Sequence, residues 1–181
     1  ISGTGADELF TGYYDHHLLY LQSIKKNSKL YEISKINWFK HVAPFIQNKH
    51  LKDPEKFLKN PDFRDHIYSG KEFSDRLHTS FFEPFQEKQY PVNLLRQRML
   101  NELFEEVVPV ILHEDDANSM YHSIENRSPF MDRVLCETSL QFQTQHLIRN
   151  GRTKSILREA MRGIVPDSIL NSYKKVGFNA P

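Results

Sequence analysis

Two stretches at opposite ends of the chain hold complementary chemistry. Ser2-Gly3-Thr4-Gly5-Ala6-Asp7-Glu8 is a glycine-flanked turn followed by two carboxylates. Thr153-Lys154-Ser155-Ile156-Leu157-Arg158 and Tyr173-Lys174-Lys175-Val176-Gly177-Phe178-Asn179-Ala180-Pro181 supply cations. A polyphosphate with a bound divalent metal needs both. The ion takes hard carboxylate oxygens, and the phosphate oxygens take ammonium groups where charge develops. Gly3 and Gly5 permit positive φ or close approach of the backbone to a ligand. Asp7 and Glu8 fall at a helix start, where acidic side chains are favoured. A plain strand-to-helix turn accounts for the glycines equally well, because short glycine motifs are weak signals.

Other residues invite chemistry and carry less of it. Asp15-His16-His17 has the composition of a metal cluster, but adjacent residues on a helix point to different faces and chelate one ion poorly. Between His113 and Asp132 polar residues crowd together: Glu114, Asp115, Asp116, Asn118, Ser119, His122, Ser123, Glu125, Asn126 and Arg127. His122 and Glu125 share a helix face if that stretch is helical. A surface loop and a polar helix lining a cleft both account for it. Cys136 is the sole cysteine, set in the apolar run Val134-Leu135-Cys136. It reads as a small packed side chain rather than a nucleophile. One cysteine also excludes a disulfide within the chain and a cysteine metal cluster.

The elements that must position these groups are mostly helices. Ile1 to Gly12 reads as a strand end, a turn and a helix start. Leu18, Leu21 and Ile24 recur at helical spacing within Gly12 to Tyr31. Asn27 to Gln89 reads as short helices broken at Pro44, Pro54, Pro61, Gly70 and Pro84. Its pairs Trp38-Phe39, Phe45-Ile46, Phe57-Leu58 and Phe81-Phe82 serve as core anchors. Val92 to Leu112 is the clearest helix, with Leu95, Met99, Leu103 and Val107 at every fourth position, and Pro109 is expected to kink or end it. Val134 to Leu147 and Ser155 to Ile164 are two further helices, the second with Thr153 as candidate N-cap. Pro166-Asp167-Ser168 opens a last short one.

Composition bounds the class. The 181 residues are 39% hydrophobic and 26% charged, with a net charge of +1. That is an ordinary globular balance with enough apolar surface for a core. It carries no basic excess that would argue for nucleic acid or an anionic membrane. No apolar run reaches the length of a membrane span. The absence of a disulfide pattern fits a reducing, cytoplasmic setting. The chain opens on Ile1 inside a motif and stops at Pro181 without a cap, so it is read as a piece of a longer protein.

Taken together the motifs resemble a known family. Ser2 to Tyr13 (SGTGADELFTGY) resembles the SGEGADELFGGY motif of the glutamine-hydrolysing asparagine synthetases. Asn118-Ser119-Met120 followed by Ser123 to Asp132 resembles their NSM…S-x-E-x-R-x-P-F-L-D stretch. Lys154 to Arg158 resembles their K-x-x-L-R helix, and Lys174 to Pro181 their KKVGFNAP ending. Asn27 to Gln89 adds nothing to the likeness. The resemblance implies a mainly α chain: the helical half of an α/β adenine-nucleotide α-hydrolase-like (ATP pyrophosphatase) domain. Residues 1–181 would be one incomplete domain, the C-terminal part of the synthetase domain. The pyrophosphate-binding SGGxDS loop is not in this sequence, so the fragment alone is expected to be inactive.

The activity implied is ATP-dependent amide formation. The aspartate side-chain carboxylate is adenylated, pyrophosphate leaves, and ammonia from a glutaminase domain attacks the acyl-adenylate to give asparagine. ATP and Mg²⁺ are the implied cofactors, and homodimeric assembly is compatible. The resemblance assigns Mg²⁺ to Asp7. Gly3 and Gly5 match backbone positions beside the reacting carboxyl and phosphate. Lys175 matches the loop lysine that contacts the transition state and pyrophosphate, and Lys154 is a second phosphate-side cation. Glu125 matches the acidic residue that assists amine attack in β-lactam synthetase relatives, and Arg127 is expected to pair with carboxylates. Thr4 departs from the pattern, for most asparagine synthetases carry Glu there and β-lactam synthetases Tyr. Thr11 replaces a glycine. The Thr4 departure leaves open an amidotransferase acting on another carboxylate, such as a sugar acid, or a lactam-forming enzyme. A degenerate helical module is the reading from another class, and it expects Asp7, Glu125 and Lys175 to lie apart.

Overall fold

The computed structural model describes residues 1–67 and 86–175. Among the described residues the chain is helical and no strand forms; the extended pairing present is an isolated bridge between Arg149 and Arg152. In chain order the helices are α1 (Ala6–Phe10), α2 (Tyr14–Ile24), α3 (Ser28–His41) and α4 (Lys56–Lys59). After them come α5 (Leu94–Asn101), α6 (Val108–Tyr121), α7 (Arg133–Gln141), α8 (Ser155–Ala160) and α9 (Asp167–Leu170). The strand end expected before Gly3 is not formed. Ser2 makes one backbone bond, its N–H donating to the Arg127 carbonyl at 2.8 Å, and one bond is not a ladder.

Helix α2 is the hub. Residues Asp15 through Leu21 are all buried, so this helix has no solvent face, as expected of a central packing element. It packs on α3, α4 and α5. Around it lies a core of Leu18, Leu19, Tyr20, Leu21, Trp38, Ile46, Phe57, Leu95, Met99 and Leu147. Each described aromatic pair sends one member inward. Trp38, Ile46 and Phe57 are buried, while Phe39 and Phe45 remain about half exposed. The pair Phe81-Phe82, with Gly70 and Pro84, lies outside the described residues. A second cluster of Leu9, Phe10, Leu103 and Val108 joins α1 to the start of α6, with Cys136 packed against its edge. Side-chain caps at Asn27, Asn93 and Asp132 accept the backbone N–H three residues on, at 3.1, 3.1 and 2.9 Å, and so fix where α3, α5 and α7 start.

The stripe read as Leu95, Met99, Leu103 and Val107 breaks at its last member. Glu102–Glu106 forms a π turn, which inserts one extra residue into the helical repeat. Val108 is buried at the place the regular repeat assigns to Val107. Pro109 begins α6 rather than ending its predecessor, because a first helical turn has no use for the N–H that proline lacks. The polar stretch after His113 is helical as far as Tyr121. Thr153 is not the N-cap of α8; Lys154 is, in a left-handed conformation.

A charged cluster is packed between α2 and the π turn. The Arg98 guanidinium lies 3.0 Å from Glu102 and 3.5 Å from Asp15, and 2.8 and 3.1 Å from Glu106 and Glu87. Arg64 closes the outer side by pairing with Glu87 and with Glu106, the latter at 2.8 Å. Arg98, Asp15 and Glu102 are each less than a tenth exposed. Removing one partner of a buried ion pair leaves the others desolvated and uncompensated, at about 3–5 kcal/mol. Arg98→Met is therefore expected to lower the stability of the intact protein by about that amount. The denaturant midpoint measures it, and an unchanged midpoint would contradict the role given to this arginine.

Candidate active site

Asp7, in the first turn of α1, draws the two ends of the chain together. The Lys154 ammonium pairs with its Oδ1. The Lys175 ammonium lies 3.5 Å from its Oδ2 and donates to the Gly12 carbonyl at 2.7 Å. Burial alone would raise the Asp7 pKa; Lys154 first, and then Lys175, more than offset it and hold the carboxyl below its ordinary value. The Asp7 side chain is still one-quarter exposed, so the group is charged, neutralised and reachable. Lys175 also stands over the Tyr13 ring, 4.3 Å from its centroid, a cation–π contact. The Tyr13 hydroxyl donates to buried Glu8.

Each lysine is aimed by its backbone. Lys154 has φ 56° and ψ 31°. Its N–H donates to the Phe10 carbonyl at 3.1 Å and to the Thr11 hydroxyl at 3.2 Å. Thr11 itself has φ 69° and ψ 132° and is fully buried. A β-branched residue at such φ is an outlier, costing on the order of 1–3 kcal/mol that the surroundings must offset. Gly12 leaves the room in which Asp7 sits: a Cβ there would collide with the Asp7 carboxylate. The last segment is fastened by Arg158, whose guanidinium donates to the carbonyls of Thr153, Ile169 and Leu170 at 2.9, 3.0 and 2.8 Å. This ties the end of α9 to α8. Tyr173 stacks on His41 at 4.1 Å, which holds the loop that delivers Lys175.

The buried charge cluster reaches this site through His16. Its Nδ1 accepts the Gly12 N–H at 3.1 Å, and its Nε2 lies 2.7 Å from Glu102. The first bond requires a lone pair on Nδ1, so the ring hydrogen sits on Nε2 and is donated to Glu102. One residue, Gly12, thus faces the core through its N–H and Lys175 through its carbonyl. Asp15, His16 and Glu102 bring three donor atoms within 4.8 Å of one another. The cation serving them is Arg98, and His17 is not part of the group. The composition Asp15-His16-His17 suggested a cluster and its adjacent spacing argued against one; the group that forms takes its third member, Glu102, from the π turn.

The other motif residues lie to the side of the Asp7 group. The Thr4 hydroxyl donates to Asp115 at 3.3 Å, and Ser2 and Asn126 approach the same oxygen at 3.5 Å. Asp115 was visible in the sequence only as one acid among several; nothing in its spacing marked it as the partner of Thr4. Glu125 and Arg127 are exposed and pair with each other at 2.8 Å. They are tied to the N-terminal turn through the Ser2–Arg127 backbone bond. Gly3 faces open space where a side chain would be. Gly5 has φ 93°, and a Cβ there would strike Met131, so its requirement for glycine arises inside the fold. Val176 to Pro181 of the last motif lies outside the described residues.

A helical chain with a carboxylate held between two lysines from distant segments matches one family over its whole length. The family model described as asparagine synthase covers residues 1–181, and the chain belongs to that family, whose synthetase domain is of the ATP pyrophosphatase class. It is similar to asparagine synthetase [glutamine-hydrolyzing] 1 of Bacillus subtilis (strain 168), with 41% identity over 71 residues, 39% of this chain and 11% of that protein. It is also similar to asparagine synthetase [glutamine-hydrolyzing] 3 of the same organism, with 40% identity over 65 residues, 36% of this chain and 10% of that one. The matches thus span about a tenth of each relative's length. No solved structure matches the chain. No helix of the described residues is long and apolar enough to cross a membrane.

His17, behind the Lys175 loop, gives the site a pH signature. Burial first, then the Lys175 ammonium, push its pKa down to about 3, against the opposing pull of Asp15. The unfolded imidazole titrates near 6.5, so the unfolded state takes up its proton first. The stability this neutral ring contributes is complete above about pH 6.5 and is lost as pH falls toward about 3, at about 1.4 kcal/mol per unit. The stability difference between wild type and His17→Gln is expected to move against wild type between pH 6.5 and 5, where carboxylates stay ionised. Parallel midpoint curves over that range would show that His17 is not held neutral.

Proposed function

We propose that this chain is the helical half of a synthetase domain in an ATP-dependent amide-forming ligase. The reaction is transfer of glutamine-derived ammonia to the aspartate side-chain carboxylate. The carboxylate attacks the α-phosphorus of ATP and pyrophosphate departs. Ammonia then displaces AMP from the acyl-adenylate, giving asparagine and a proton. The observation that carries this reading is the clasp of Asp7 between Lys154 and Lys175. Two ammonium groups beside one reachable carboxylate form a receptor for a polyphosphate and its metal.

The residues divide the work by charge. Lys175, on a loop held by the Tyr173–His41 stack, is suited to follow charge onto the departing pyrophosphate. Lys154, on the N-cap of α8, is the fixed cation. The donor set at Asp7 suits Mg²⁺, which takes one or two carboxylates and completes its shell with phosphate oxygens and water. The cradle left by Gly12 keeps that carboxylate uncrowded. When bound with the nucleotide, Mg²⁺ supplies positive charge to the phosphate oxygens. Glu125, with Arg127 beside it, is the group available to take a proton from the attacking amine. Other parts of the full-length protein supply the adenosine site and the glutaminase.

A second reading keeps the chemistry and changes the acceptor. Thr4 donates to Asp115, whereas the glutamate of the family motif would set two carboxylates against each other there. A carboxylate substrate other than free aspartate fits that difference, with a sugar acid as one class. The reading as a non-catalytic helical module expects Asp7, Glu125 and Lys175 to lie apart; the 3.5 Å approach of Lys175 to Asp7 speaks against it, while Glu125 pairs with Arg127.

Isotope exchange between ATP and pyrophosphate by the full-length protein tests both enzymatic readings. Aspartate-dependent exchange supports the first. Exchange driven only by another carboxylate supports the second, and none with any carboxylate overturns the ligase reading. Lys175→Ala is expected to lower turnover by about two orders of magnitude or more with ATP affinity nearly unchanged, since its contribution is made in the transition state. A loss confined to KM would place it in ground-state binding.

A further inference from the structure

The threonine at position 11 stands where the family motif has glycine, and its backbone takes a conformation that glycine adopts at far less cost. Its side chain is fully buried, so solvent contact does not explain it. The hydroxyl is instead at a junction. It donates to the Phe10 carbonyl, with the Leu147 carbonyl 3.4 Å away, and it accepts the Lys154 N–H at 3.2 Å. Glycine offers no such acceptor.

Lys154 also departs from ordinary backbone geometry, with φ 56°. Thr11 and Lys154, two of the four described non-glycine residues at positive φ, therefore face each other across the joint between the end of α1 and the start of α8. Lys154 is the N-cap of α8, and its carbonyl accepts the Arg158 N–H at 2.8 Å. Its amide is held on one side by Phe10 and Thr11, and its carbonyl on the other by the helix. With both peptide groups fixed, the direction of the Cα–Cβ bond is set, and the ammonium at the end of the side chain meets Asp7.

We propose that Thr11 is a positioning residue for Lys154, its hydroxyl holding the Lys154 amide so that the ammonium is presented to the Asp7 carboxylate and to a pyrophosphate bound beside it. This rests on the reading of the Asp7 group as a polyphosphate site. It assigns the backbone strain at Thr11 to that positioning.

Equilibrium binding of inorganic pyrophosphate to the full-length protein, measured by calorimetry with Mg²⁺ present, tests it. Thr11→Gly accommodates the observed φ and removes the hydroxyl; it is expected to bind pyrophosphate about five- to tenfold more weakly, the loss of one hydrogen bond. Thr11→Ser restores the hydroxyl and is expected to match wild type. In a Lys154→Ala background Thr11→Gly is expected to change nothing further, because the group it positions is gone. Equal affinity of Thr11→Gly and wild type, losses that add with Lys154→Ala, or failure of serine to rescue would each overturn the proposal. A wild-type protein that does not bind pyrophosphate at all would instead overturn the polyphosphate reading beneath it.

Discussion

Charged groups taken out of water must find partners, and the pairing of Arg98 with Asp15, Glu102, Glu106 and Glu87 is the constraint from which the site follows. The central helix α2 cannot be packed against α5 unless the acid it carries meets a cation there. Glu102 meets that cation from within a π turn. It also receives His16, which fixes the Gly12 peptide by its N–H. The Gly12 carbonyl then receives Lys175. The path from a buried arginine to Lys175 runs through the buried side chains of Glu102 and His16 and then the Gly12 backbone.

The site proper rests on backbone that is unusual at several points. Gly5, Thr11 and Lys154 all have positive φ, and all lie within the few residues that shape the surroundings of Asp7. Such conformations persist only where neighbouring contacts over-determine them. Here those contacts are Met131 against Gly5, the Thr11 hydroxyl against Lys154, and Arg158 across α8 and α9. The two lysines come from segments with no regular structure of their own at the point of contact, so their placement depends on these anchors more than on helix packing.

Much of the fold was legible because its signals are local. Leu95, Met99 and Leu103 announce α5 by their spacing, and Asp7, Lys154 and Lys175 are recognisable from short motifs. The break at Val108 was not legible, because the π turn answers to Glu102 and its partner 86 residues away. Pro109 was misread for the same reason: proline marks a helix boundary, and which side of the boundary it serves depends on the preceding turn. In the sequence Thr11 shows only as a replacement for glycine; its hydroxyl has a use only once Lys154, 143 residues on, is beside it. Asp115 and Thr4 are likewise a pair that exists only in three dimensions.

The π turn at Glu102–Glu106 has a consequence for how the chain can vary in length. Deleting one of its exposed residues, Phe104 or Glu105, would restore a regular repeat and leave Val108 where that repeat places a core residue, still against Leu9 and Phe10. Deleting a residue from α5 would instead rotate everything beyond it by about 100°, carrying Val108 off that cluster and Asp115 off Thr4. Between Leu94 and Tyr121 the π turn is therefore the place where the chain can lose a residue and keep its facing.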